Sequence, residues 1–286
     1  MTSTILILGG TGIVGRGVAK QLLADGYTVR ILTRDGAGAK KVLGGDYEVI
    51  EGDMTDPACL EFALVGCDGV HISLPSGHNE ATLQKIQVGV TASVAKLAVA
   101  LGIKHITYVS GYLVSAPFAH IPAEKAKLDA ERAIIQSGAG YTIFRPTYFA
   151  DLLPNFIQGA RASIFGKQPH PIRFLTIADF AKIVSVAHQI GATNKAYFVC
   201  GKEALTFEQA LSLVTQKIAP SAKVTHAPFW MMGMMNRLFL KGELTEILAL
   251  MRATEQVGEM GYSPDEAYRV FGEPTSTIAG WANLAL

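Results

Sequence analysis

Cysteine is scarce in this sequence. Cys59, Cys67 and Cys200 are too few and too scattered for a disulfide framework or a zinc site, and a cytoplasmic location is expected. Charge is also scarce, at 17% of residues, and nearly cancels to a formal net charge of +1. With no long basic run, neither a nucleic-acid nor an anionic-membrane partner is expected. The chain is 49% hydrophobic, yet no stretch of about 20 apolar residues is free of charge, glycine or proline, which predicts a large core and no membrane span. The N-terminus lacks a basic leader and a small-residue cleavage site, which predicts no signal peptide. His71, His78, His105, His170, His188 and His226 show no paired ligand spacing, so no metal is expected.

What is present begins almost at once, with ILILGGTGIVGRGVAKQLL over residues 5–23. Ile5 to Leu8 are continuously apolar, as in a parallel strand buried on both faces. Gly9, Gly10, Gly12 and Gly15 follow, then Val18, Leu22 and Leu23 at helical spacing. Gly10, Gly12 and Gly15 satisfy G-x-G-x-x-G, and Gly9, Gly12 and Gly15 satisfy G-x-x-G-x-x-G. A strand, a glycine turn and a helix N-terminus form an anion cradle, because free N–H groups and the helix dipole meet a pyrophosphate where no side chain intervenes. The plainer alternative is a tight turn serving packing alone. The position between strand and helix favours dinucleotide binding.

Further strands are expected at Thr28–Leu32, Tyr47–Glu51, Gly69–Leu74, His105–Ser110, Tyr141–Arg145 and Ala196–Cys200. Helices are expected at Val14–Ala24, Pro57–Leu64, Ala81–Leu101, Ala123–Ser137 and Ile177–Gln189. Their alternation predicts an α/β fold with a doubly wound parallel sheet. From Thr206 onward the pattern turns mostly helical, which predicts a smaller substrate-side lobe. The expected division is residues 1–148 with about 174–202 as the dinucleotide-binding domain, and about 149–173 with 203–286 as the lobe.

The second strand ends in VRILTRD. A carboxylate there suits the ribose 2′-hydroxyl of NAD, whereas arginine suits the 2′-phosphate of NADP. Arg34 favours NADP(H), with Arg16, Lys40 and Lys41 as possible neighbours, over both NAD(H) and a merely solvated arginine. Asp35 follows directly and argues the other way. Asp53, in EGDMTDP, either accepts from the adenine amino group or caps the next helix.

GGTGIVGR, ILTRD, GDMTDP, ITYVSG, KLDAERAIIQSGAGYTIFRPTYF, IADFAKIV, GKEALTFEQA and GEPTSTIAGWA together resemble the NmrA-like, isoflavone-reductase-like group of atypical short-chain dehydrogenases. The likeness runs the length of the chain, loosely over residues 220–265. It implies a Rossmann domain binding NADP(H) through Gly9, Gly10, Thr11, Gly12, Ile13, Val14, Gly15, Arg34, Asp53, Met54, Leu74, Pro75, Lys127, Pro146 and Tyr148. The group contains reductases of quinones, dyes and plant phenolics, and also redox-sensing regulators without turnover.

Short-chain dehydrogenases typically use a serine, a tyrosine and a lysine four residues after the tyrosine. Ser110 matches the serine and Lys127 the lysine, with Glu131 one turn on as a potential partner. Four residues before Lys127 stands Ala123, and four before Lys125 stands Ile121. The tyrosine is missing. Tyr112 is the substitute proton donor to weigh, against a half-buried loop aromatic, and His120 the second, against an exposed histidine. For Lys127 the plain reading is a solvated helix lysine. Ser110 lies in no G-x-S-x-G elbow, which disfavours a serine hydrolase. Phe149, Trp230 and Met231 join His120 as substrate-pocket candidates, although the Met-rich run around Gly233 equally suits a core helix or an oligomer contact. The leading expectation is an NADP(H)-dependent reductase of a small apolar, aromatic or quinoid substrate, with a homodimer compatible. The alternatives are an NADP(H)-sensing regulator and, more weakly, a nucleotide-sugar epimerase or dehydratase.

Overall fold

A computed structural model describes residues 3–75 and 79–284 of the chain; His78 therefore lies outside the described residues. The strands are β1 (Thr4–Leu8), β2 (Thr28–Thr33), β3 (Glu48–Glu51), β4 (Gly69–Ile72), β5 (His105–Val109), β6 (Tyr141–Pro146), β7 (Ile157–Gln158), β8 (Arg161–Phe165), β9 (Ile172–Arg173), β10 (Lys195–Val199), β11 (Ala204–Leu205) and β12 (Lys223–Ala227). Seven of them form one sheet in the order β10-β6-β5-β4-β1-β2-β3. Adjacent pairs from β3 through β6 run parallel. The winding reverses between β1 and β4. In open α/β sheets ligands gather beyond the carboxyl ends of the strands at such a reversal.

The chain divides into two compact units, residues 1–145 with 180–197 and residues 146–179 with 198–286; the boundaries expected from sequence were 148, 174 and 202. In the first unit, α1 (Ile13–Ala24), α2 (Gly36–Leu43), α3 (Pro57–Leu64), α5 (Thr91–Leu101) and α6 (Pro122–Ser137) alternate with the strands. Start and stop chemistry sets their limits. Asp35 and Asp56 cap α2 and α3, Pro122 opens α6, and left-handed glycines close α2, α5 and α6 at Gly44, Gly102 and Gly138. Leu6, Leu8, Val70, Ile72, Ile106, Tyr108 and Ile143 form one core layer with Leu60, Leu64, Val94 and Ile134 from the helices.

Two elements differ from the sequence reading. Residues 36–43 form α2, which glycine-rich GAGAKKVL did not announce. The single helix expected over Ala81–Leu101 is instead α4 (Glu80–Leu83), a π-helical segment (Gln84–Val90) and α5. The wider turn carries Gln87, which is 1% exposed and bonded on every side. Its Nε2 donates to the carbonyls of Leu74 (3.0 Å) and Pro75 (2.9 Å), and its Oε1 accepts from Tyr108 (3.1 Å). Such bulges persist where a side chain is needed out of helical register.

The second unit holds α8 (Phe207–Ile218), α9 (Phe229–Leu238), α10 (Thr245–Val257), α11 (Asp265–Phe271) and α12 (Ile278–Leu284), and α7 (Ile177–Ile190) passes from it into the first. Thr206 and Gln209 cap α8 with a reciprocal capping box. The mostly helical reading beyond Thr206 missed β12, which pairs parallel with β8 in a three-stranded sheet. KVTHA is mostly exposed and has no apolar run to stand out. Tyr148, Phe156, Phe174 and Phe207 meet edge to face or tilted in this unit's core. Among the described residues no helix is long and apolar enough to cross a membrane.

Candidate cofactor site

The turn from β1 into α1 is built on backbone. Gly9 has φ +83°, and a Cβ there would lie 2.0 Å from the Ser73 carbonyl oxygen; one at Gly15 would lie 2.3 Å from the Gly9 oxygen. These two glycines admit close packing of loop, strand and helix. Gly12 differs, because an added Cβ meets only the Gly9 oxygen, at 3.2 Å. The Gly12 N–H donates to Gly9 (3.0 Å). No side chain caps α1 and its first turn holds no acid, while Thr11, Gly12 and Ile13 are exposed. Free N–H groups, no carboxylate competitor and no obstructing side chain fit a pyrophosphate.

At the end of β2 the geometry separates Arg34 from Asp35. The Asp35 carboxylate accepts from Gly38 N–H at 2.8 Å as the cap of α2. Arg34 stays exposed. Lys40 and Lys41 fall in the last turn of α2. Asp53 does not cap α3; Asp56 does, accepting from Ala58 N–H at 3.0 Å. Asp53 instead accepts from Thr55 N–H at 2.8 Å. The Thr55 backbone and hydroxyl hold its carboxyl below the usual carboxylate range, with Lys85 and Arg34 adding to the effect. Lys85, on the π-helical segment, was not anticipated from sequence. Met54 and Leu74 are half-buried and Pro75 exposed.

Ser110, at the end of β5, is 3% exposed. Its hydroxyl donates to Glu131 Oε1 at 2.5 Å. Glu131 also takes Arg145 in a fork, Nε at 3.0 Å and Nη2 at 2.5 Å. The expected Lys127–Glu131 pairing is therefore corrected. Glu131 is taken by Arg145 from β6, and Lys127 pairs with Glu124 one turn earlier, at 3.7 Å. A Cβ added at Gly111 would lie 3.2 Å from Lys127 Nζ and 3.5 Å from Glu124 Oε2. The ammonium and the carboxylate thus share the space beside the residue that links Ser110 to Tyr112. Glu124 is 3% exposed and its Oε2 has no hydrogen-bond partner.

Tyr112 is 5% exposed, more deeply buried than the half-buried loop aromatic weighed as its plain alternative. His120 is exposed, its Nδ1 2.9 Å from the Pro117 carbonyl. Burial, reinforced by Glu131 and Glu124, pushes the Tyr108 phenol far above its ordinary range, so it serves as a donor to Gln87. Among the described residues no cluster of His, Cys, Asp and Glu could hold a metal. The other candidates belong to the second unit. Pro146 and Phe149 are buried, Tyr148 sits in the aromatic core, Trp230 is 70% exposed, and Met231 packs beside Met232 and Leu248.

Residues 9–163 match the NAD(P)H-binding family. The chain is 26% identical over 245 residues to the photosystem II assembly factor Ycf39 of Trieres chinensis, covering 82% of this chain and 76% of that one. It is 27% identical over 287 residues to an NAD(P)H azoreductase of Xenophilus azovorans, covering 97% and 96%. In fold it is similar to the NADPH-dependent quinone oxidoreductase of Escherichia coli complexed with NADPH, with a TM-score of 0.77, 22% identity, and coverage of 98% and 99%.

Proposed function

The chain belongs to the NAD(P)H-binding family, and on that premise we propose that it is an NADP(H)-dependent reductase of a small apolar, aromatic or quinoid acceptor. Bound NADPH would supply a hydride from its nicotinamide ring. The backbone N–H groups of the Gly9–Gly15 turn hold the pyrophosphate, Arg34 meets the 2′-phosphate, and Lys127 holds the nicotinamide ribose. Asp53, Met54, Leu74 and Pro75 flank the adenosine half.

One observation carries the choice of acceptor. Ser110 gives its only proton to Glu131, and Ala123 stands where a tyrosine would. The two side chains that ordinarily polarise and protonate a substrate carbonyl are thus committed or missing. Quinones, azo compounds and cationic dyes suit such a site, since they need chiefly a well-placed hydride and take protons from water. The full-length likeness to an azoreductase supports the same reading.

A second reading is an NADP(H)-sensing protein without turnover, favoured by the same locked serine and by the likeness to an assembly factor. An epimerase or dehydratase is disfavoured by the missing tyrosine. Three unpaired cysteines suit a cytoplasmic location. Following NADPH absorbance against a panel of quinones, azo compounds and triphenylmethane dyes separates the first two readings. The reductase reading expects oxidation by at least one class; tight NADPH binding with no oxidation by any overturns it in favour of sensing.

A further inference from the structure

Glu124 is a costly residue in its setting. A carboxylate taken out of water needs a partner for each oxygen, yet Oε2 has none, and the charge is met by Lys127 Nζ at 3.7 Å from Oε1. The other buried carboxylate of α6, Glu131, is fully engaged by Ser110 and Arg145. Glu124 is therefore not part of that latch, and it lies on the buried side of the lysine, against Gly111.

Resting on the reductase reading, we infer that Glu124 is a positioning residue for the nicotinamide half of the cofactor. It holds the Lys127 ammonium beside Gly111 by charge, beyond direct hydrogen-bond distance, and so leaves the ammonium's N–H donors for the ribose hydroxyls. A lysine on a flexible stem is otherwise a poorly directed donor. The small residue at 111 belongs to the same device, because a Cβ there would crowd the ammonium at 3.2 Å while only touching the carboxylate at 3.5 Å.

The test compares two ligands on the full chain by calorimetry: NADPH, and adenosine 2′,5′-bisphosphate, which has the adenosine and the 2′-phosphate but no nicotinamide ribose. Glu124→Gln should weaken NADPH about tenfold, the scale of a lost charge-assisted contact, and leave the bisphosphate unchanged. In a Lys127→Met background, which keeps the site readable if the single Glu124 variant folds poorly, adding Glu124→Gln should change NADPH affinity no further. Unchanged NADPH affinity in Glu124→Gln overturns the inference. So does an equal loss of both ligands, which would mark a purely structural role, and so do additive effects in the double variant. Failure of the wild-type protein to bind NADPH overturns the reductase reading itself, and the inference with it.

Discussion

Acid should destabilise this protein before its carboxylates are protonated, because the first unit buries three histidines against the sheet. His71 Nδ1 lies 2.8 Å from Thr107 Oγ1, and the same hydroxyl lies 3.0 Å from His188 Nε2; His105 Nε2 lies 2.9 Å from Thr142 Oγ1. The far nitrogens of His71 and His105 have no partner. Burial, with His105 adding, pushes His71 from 6.5 to about 3; burial pushes His105 to about 4 and holds His188 well below its ordinary value. The folded values lie below the unfolded one, so the unfolded chain binds more protons below about pH 6.5. Stability is whole above that pH and falls as pH drops toward the folded values.

Each such group approaches a loss of about 1.4 kcal/mol per pH unit below its unfolded value, so His71 and His105 together cost about 3 kcal/mol between about pH 6.5 and 5. That is a large part of the roughly 5–15 kcal/mol that holds a domain folded. Urea unfolding across about pH 7.5 to 5 measures it, and His71→Leu should flatten the slope by about 1.4 kcal/mol per unit. A stability that does not change over this range, or a slope that His71→Leu leaves intact, would refute the buried-neutral account.

Four further outcomes are expected. Arg34→Ala should cost about tenfold or more in NADPH affinity and leave NADH nearly untouched, since a charge-assisted phosphate contact is worth about 1.5–3 kcal/mol; calorimetry showing equal wild-type affinity for both dinucleotides would contradict this. Gly12→Val should fold yet fail to enhance NADPH fluorescence, whereas Gly15→Val, with its Cβ driven into the Gly9 carbonyl, should lower the melting temperature as well. Arg145→Met should destabilise by about 3–5 kcal/mol in denaturant titrations, because it leaves the buried Glu131 charge with the Ser110 hydroxyl but no cation. Gln87→Leu should cost about 1–3 kcal/mol by leaving the Leu74 and Pro75 carbonyls unpaired, and NADPH affinity should fall with it in calorimetry, because the proposal sets those two residues beside the adenosine.

The sequence announced the glycine cradle because an apolar strand, a glycine burst and an amphipathic helix follow one another without interruption, all through local chemistry. The partner of Lys127 was not legible. Glu124 and Glu131 stand at i−3 and i+4, equally placed on a helix, and the choice is made by Arg145, which sits on a strand paired with β5. The role of Asp35 was hidden for a similar reason, since a carboxylate after a strand reads equally as a ribose acceptor or a helix cap. Gln87 escaped notice because a π turn breaks the period of 3.6 by which helices are recognised. In the second unit β7, β9 and β11 are two residues long, too short for any pattern to register, while RASIF and KVTHA of β8 and β12 are partly exposed and lack the fully buried run that marks β1 and β4.

Single-turnover oxidation of bound NADPH by a quinone or dye acceptor tests the central claim most directly. It is followed by stopped flow with ordinary and 4-deuterated cofactor, in water and in deuterium oxide. Hydride transfer without a proton from Ser110 or a tyrosine predicts a slower reaction with the deuterated cofactor and the same rate in both solvents. A rate that falls in deuterium oxide and ignores the cofactor label would contradict it.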